Sequence, residues 1–229
     1  MKKLSVSMTL YELILGWIYL VAQMIFIPVV LVVVNLLLGN PLTNTDITFI
    51  LFVLNFICVI AIFWKYIWRN TKVAFSRFWR TVLTTLACFA AYWVLTFLFA
   101  YLILTFFPEF YNVNDDAISG MVEENPAMMI IGTVLLVPLV EEVLYRGLVF
   151  RGLYNHSRIA AFLVSIGVFG ALHVVSYIGM YEPFHLLLCF VQYIPAGLCL
   201  GMAYAVSDSI WAPIIMHTGI NLIGMLAMI

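Results

Sequence analysis

Six stretches of this chain, residues 13–38, 47–64, 81–108, 159–181, 183–207 and 209–229, contain no Asp, Glu, Lys or Arg. About 20 predominantly apolar residues cross the hydrocarbon core of a bilayer as a helix. A seventh segment, residues 126–151, has the length but is interrupted by Glu141, Glu142 and Arg146. The runs are too long and too uniformly apolar for barrel strands, and lipid offers no partner to an unpaired backbone, so helix is the spanning form. The expected fold is an all-α polytopic transmembrane helical bundle with about seven transmembrane helices and Pro-kinked spans.

Composition closes the alternatives. Charged residues make up 9% of the chain and apolar ones 66%, where soluble domains carry about 25% charge. A soluble globule could not cover its surface, and a disordered chain would not be this apolar. With a net charge of −1 no basic surface is available, and no nucleic-acid partner is expected. Cys58, Cys88, Cys189 and Cys199 sit inside apolar runs without C-x-x-C spacing and read as packing residues. Lys2 and Lys3 precede an apolar run too long for a signal peptide, with no A-x-A cleavage site.

Charge orients the spans. Nine of the ten Lys and Arg fall at the N-terminal tail, the 65–80 connection or the 151–158 connection, whereas Asp46, Glu109, Asp115, Asp116, Glu123, Glu124 and Glu182 fall on the opposite side. The positive-inside rule then places the N-terminus in the cytoplasm, with the protein integral to a membrane. The 65–80 connection alternates bases with aromatics and reads as an interfacial helix on anionic lipid. Asn125-Pro126 reads as an N-cap followed by proline in the first turn. Residues 1–125 form the first three spans with their basic, aromatic connection, and residues 126–229 the remaining core, within one integral membrane domain.

The informative residues are polar groups inside spans. Each charge near a span centre costs roughly 2.5–3.5 kcal/mol on the insertion scale, so Glu141, Glu142 and Arg146 must face protein or a wet cavity. Glu142 and Arg146 are four apart in acid-before-base order, a supporting helix ion pair. Glu141 is rotated by about 100° from Glu142 and has no partner in its own helix. Pro138 removes a backbone hydrogen bond just before it. His173 shares a helix face with Phe169, and His217 shares one with Asn221. His156 and His185 lie near span ends and read as interfacial.

A carboxylate beside a neutral imidazole can take a proton from water, and a second His with an Asn amide can steady an oxyanion, a set suited to amide hydrolysis. The same side chains, Glu141, His173 and His217, have the donor atoms of a zinc site with an open position. Both readings stay open at this point. Non-enzymatic readings are an immunity protein or scaffold, and more distantly an ion or proton carrier.

Three fragments carry a resemblance: E-E-V-L-Y-R-G at 141–147, F-G-A-L-H at 169–173, and H-T-G-I-N at 217–221 preceded by S-I-W-A-P-I at 209–214. In this order on separate apolar spans, they match the E-E-x-x-x-R, F-x-x-x-H and H-x-x-x-N patterns. The chain resembles the CPBP intramembrane endopeptidases (CAAX proteases and bacteriocin-processing enzymes, the Abi family) over about residues 126–229. The resemblance implies that Glu141 activates water with His173, that His217 and Asn221 form the oxyanion site, and that Glu142 and Arg146 support them. Its members have been described both as metalloproteases and as metal-independent glutamate proteases. The favoured expectation is the latter, without a cofactor, with zinc as the alternative. The expected partners are membrane lipid and a peptide or protein substrate at the membrane, in the manner of prokaryotic members, whose setting is the bacterial plasma membrane.

One geometric condition remains. At about 1.5 Å per residue, Glu141 lies roughly 15 Å from Arg151, His173 roughly 22 Å from Arg158 and His217 roughly 13 Å from Asp208. Straight, upright helices do not bring these to one level, so kinks at Pro138 and Pro213, tilt or a partly re-entrant segment must.

Overall fold

The computed structural model describes residues 4–229; Lys2 and Lys3, counted above at the basic side, lie outside them. Seven helices are long and apolar enough to span: α1 (Leu10–Leu37), α2 (Asn44–Ser76), α3 (Phe78–Phe106), α5 (Pro126–Tyr154), α6 (Arg158–Tyr177), α7 (Pro183–Ser207) and α8 (Trp211–Met228). The short α4 (Val113–Glu124) lies between α3 and α5. The all-α bundle expected from the uncharged runs is the fold observed.

Local chemistry fixes the helix ends. Thr9 and Glu12 form a reciprocal capping box on α1, and Thr43 and Asp46 form one on α2, each satisfying amides that a first turn leaves orphaned. Asn125 Oδ1 accepts from Met128 N at 3.2 Å with Pro126 in the first turn, as the sequence predicts. Ser157 caps α6 through Ala160 N.

The basic and acidic connections separate to opposite ends. At the basic end Arg69 meets Glu12 at 2.6 Å, Arg77 meets Asp208 at 2.5 Å, and Arg80 Nε donates to Val206 O. The extended residues before α1 are stitched across this end: Ser5 N donates to Asp208 Oδ1, Val6 O accepts from Arg151 and Ser7 O from Arg69. The 65–80 connection departs from expectation. It is not a separate interfacial helix; α2 runs unbroken to Ser76 and α3 begins at Phe78, with Arg77 (φ −127°, ψ 37°) as the joint. No Gly or Pro interrupts residues 65–76. The buried Asn70 amide also ties this extension to the start of α8, accepting from Ile210 N at 3.2 Å. The exposed Trp64 and Trp68 carry Lys65 and Lys72 against their rings.

Half of the most apolar window of α5 and of α7 is buried, against 6–11% in α1, α2 and α3, so α5 and α7 form the centre and the first three spans turn most of their surface outward. The α6–α7 approach is close enough that a Cβ on Gly197 would meet Ile166 Cα at 2.6 Å. One core joins the two halves of the chain, with Phe63 and Tyr66 of α2 packed with Val143, Leu144 and Leu148 of α5. If the basic end faces the cytoplasm, an impermeant thiol reagent should label a cysteine replacing the exposed Lys72 only in lysed cells, and one replacing the exposed Asp116 in intact cells. The reverse pattern would invert the orientation.

Candidate active site

The site is built around irregularities of α5. Over Ile131–Leu136 the helix widens to π-type turns, with Val137 N bonding Gly132 O five residues back. In that register the next donor would serve Thr133 O, but residue 138 is proline and has no N–H. The orphaned Thr133 carbonyl is taken by Asn221 Nδ2 of α8 at 2.7 Å. Asn221 therefore ties α8 to α5 with one amide hydrogen, while its side chain also lines the cavity between them. A second π-type stretch, Glu142–Phe150, follows directly. Wide turns of this kind recur at functional sites, and here Glu141 stands at the junction between normal and wide winding.

Glu142 and Arg146 are both buried, at 0% and 1% exposure. Glu142 Oε1 accepts from Arg146 Nη1 at 2.9 Å and bonds His217 Nδ1 at 2.9 Å. The Arg146 guanidinium lies over the Phe169 ring, 4.8 Å from its centroid, a cation–π contact that desolvation strengthens. This supporting pair holds helices α5, α6 and α8 together behind the cavity. The carboxylate at Nδ1 turns the other nitrogen of His217, Nε2, away from Glu142.

His173 and His217 flank Phe169, with ring centroids 4.7 and 5.6 Å from it. His173 Nδ1 faces the Phe169 carbonyl at 2.7 Å. A carbonyl can only accept, so Nδ1 carries the proton and Nε2 keeps its lone pair. The His173 ring is stacked on Tyr193, 4.2 Å between centroids. The Tyr193 hydroxyl donates to Asn112 Oδ1 at 3.2 Å and approaches Asp115 Oδ1 at 3.4 Å. This chain of contacts links His173 to α4 at the acidic end. Burial against the cavity wall raises the Asp115 carboxyl above its ordinary range, and its hydrogen bonds with Asn114 and Tyr193 oppose the rise.

A cavity of about 460 Å³ runs through these groups. Glu141, His173, His217 and Asn221 all line it, together with Asp115, Thr133, Phe169 and Tyr193. All four residues expected to carry the chemistry thus share one space. His217 meets Glu142 directly and His173 lies in the last turn of α6, and one cavity reaches both. Glu141 Oε2 is buried without a hydrogen-bond partner. The sequence reading missed Thr133, Tyr193 and Asp115; the only sequence signal was Pro138, five residues after Thr133.

The zinc alternative has suitable donor atoms, a carboxylate and two imidazoles. Among the described residues, however, no three His, Cys, Asp or Glu side chains gather where they could hold one ion.

Comparison with known proteins agrees with this part of the chain. Residues 123–223, which hold every one of the motifs above, match the family model described as "Type II CAAX prenyl endopeptidase Rce1-like". A Bacillus subtilis (strain 168) protein named "Putative membrane peptidase YdiL" is 30% identical over 109 residues. That match covers 47% of this chain and 40% of the relative, so well under two thirds of the relative's length is represented here. No solved structure matches the chain.

Proposed function

We infer the activity from one premise: through residues 123–223 the chain is a member of the CPBP family. On that premise it is an intramembrane endopeptidase that cuts a membrane-associated peptide or protein with a water activated by Glu141 and His173. The observation that carries this reading is the division between two adjacent carboxylates. Glu142 is committed through Oε1 to Arg146 and His217, its Oε2 buried without a partner and outside the cavity lining, whereas Glu141 lines the cavity and its carboxylate makes no side-chain hydrogen bond among the described residues. A scaffold has no use for a carboxylate that faces a cavity and bonds to nothing.

In the proposed reaction a peptide carbonyl enters the cavity from a membrane-associated substrate. Glu141 takes one proton of a water as its oxygen adds to the carbonyl carbon, and the lone pair on His173 Nε2 orients that water. The carbonyl oxygen becomes an oxyanion, which accepts from His217 Nε2–H and the remaining Asn221 amide hydrogen. That donation needs a proton on Nε2 as well as on the Nδ1 that faces Glu142. Glu141 then passes its proton to the departing nitrogen as the C–N bond breaks, leaving an acid and an amine.

We place the protein in the bacterial plasma membrane with a cytoplasmic N-terminus, acting on secreted or membrane-bound peptides. The test is proteolysis of a peptide library by the purified protein beside a Glu141→Gln control; equal cleavage by both would sink the assignment. Strong chelators are expected to leave activity intact. Activity lost on chelation and restored by zinc alone would instead make Glu141, His173 and His217 ligands.

A further inference from the structure

Glu141 lines two cavities. The second is small, about 50 Å³, and is lined by Gln23 of α1, Asn55 of α2, and Val140 and Tyr145 of α5. Glu141, Phe52 and Val137 belong to the linings of both, so Glu141 stands in the wall between them. Phe52 is seated there by Gly132 of the first wide turn, where a Cβ would collide with its ring.

The small cavity is polar, although it lies among spans of lipid-facing helices. Gln23 falls in a π-type turn of α1, Ala22–Phe26, and its Nε2 points to the Tyr145 hydroxyl at 3.5 Å. Asn55 Oδ1 accepts from Tyr19 at 2.5 Å. Among the described residues no protein acceptor takes the Tyr145 hydroxyl hydrogen or the Asn55 amide hydrogens. A space of this size holds about one or two waters, and a buried water needs two to four polar partners. Gln23, Asn55, Tyr145 and Glu141 provide them.

We propose that Gln23, Asn55 and Tyr145 form a water-binding site that supplies Glu141 from the side opposite the peptide cavity. The supply role rests on the endopeptidase reading; the binding of water does not. Hydrolysis consumes one water per bond cut, and the bilayer core offers none. A peptide filling the main cavity displaces water from it, so a reserve behind Glu141 lets the next water arrive without crossing the substrate. Residues of α1 and α2, outside the matched segment, thereby take part in the chemistry as positioning residues.

Radiolytic hydroxyl labelling of the full-length protein in nanodiscs tests the site without requiring activity. Tyr145 should be labelled severalfold faster than Tyr66, which is fully buried against Tyr204. Replacing Gln23 and Asn55 together by Leu should bring Tyr145 down to the Tyr66 rate and leave Tyr193, in the main cavity, unchanged. Gln23→Leu alone should give the same direction of loss if the double variant does not fold. Equal labelling of Tyr145 and Tyr66 in the wild type, or no response to either substitution, would overturn the site. In protein that cleaves peptide, Tyr145→Phe should lower kcat about tenfold, the equivalent of one hydrogen bond, with KM unchanged. An unchanged kcat would overturn the supply role. Preparations with labelled Tyr145 but no cleavage of any peptide would count against the endopeptidase reading and leave the water site standing.

Discussion

Glu141→Gln is expected to lower the cleavage rate by at least about 10²–10⁴-fold, the range for loss of a general base, in a protein that folds as the wild type does. The amide keeps the shape of the side chain and cannot take the proton. Its neighbour Glu142 cannot substitute, being buried and bonded to both Arg146 and His217. Asn221→Ala is the comparison. It removes one oxyanion donor, worth about 10²–10³ in rate, and leaves a weak activity. It also strands the Thr133 carbonyl that Asn221 satisfies, at a cost of about 1–3 kcal/mol in stability. The two variants therefore differ in kind, one defective in chemistry alone and the other in both chemistry and folding. Parallel rates and melting curves in one detergent read the difference. Glu141→Gln retaining more activity than Asn221→Ala would make Glu142 the candidate base.

Arg146→Ala should cost about 3–5 kcal/mol of stability, as expected when a buried pair loses one member. The substitution leaves Glu142 with His217 alone and empties the space under the Phe169 ring. Loss should appear as a lower melting temperature or reduced yield. Adding Glu142→Gln removes the stranded charge, so the double variant should recover part of the stability. Wild-type melting in an inactive Arg146→Ala protein would move Arg146 from support into the chemistry.

The spans were legible in the sequence because a bilayer filters so severely: a charge-free run of sufficient length has few other fates. The Glu142–Arg146 pair and the isolation of Glu141 were legible because helical spacing alone decides which side chains share a face. The wide turns were not. Whether a helix hydrogen-bonds at four or five residues depends on what packs beside it, and Asn221 lies 88 residues from the carbonyl it rescues. Gln23 and Asn55 were equally invisible, each a single polar group in an apolar run; Tyr145 stands four residues after Glu141 in the motif, but no spacing connects it to two other helices. The 65–80 segment misled because alternation of bases and aromatics records contact with a lipid surface, which the flank of an overlong span makes as well as a separate helix does.

The three-way contact of Glu142, Arg146 and His217 also constrains how the protein can be made. His217 follows Glu142 by 75 residues, so at about 5–20 residues per second the ribosome delivers it about 4–15 s later. During that interval α5 must be handed from the translocon to lipid with its acids still lacking their distant partner. Arg146 belongs to the same helix and arrives at once, neutralising Glu142 before α8 exists. The ion pair is thus a chaperone within the helix, needed first for insertion and only afterwards for the finished site. Variants that weaken it should be recognised by membrane quality control during synthesis, before any defect in folded protein can be measured.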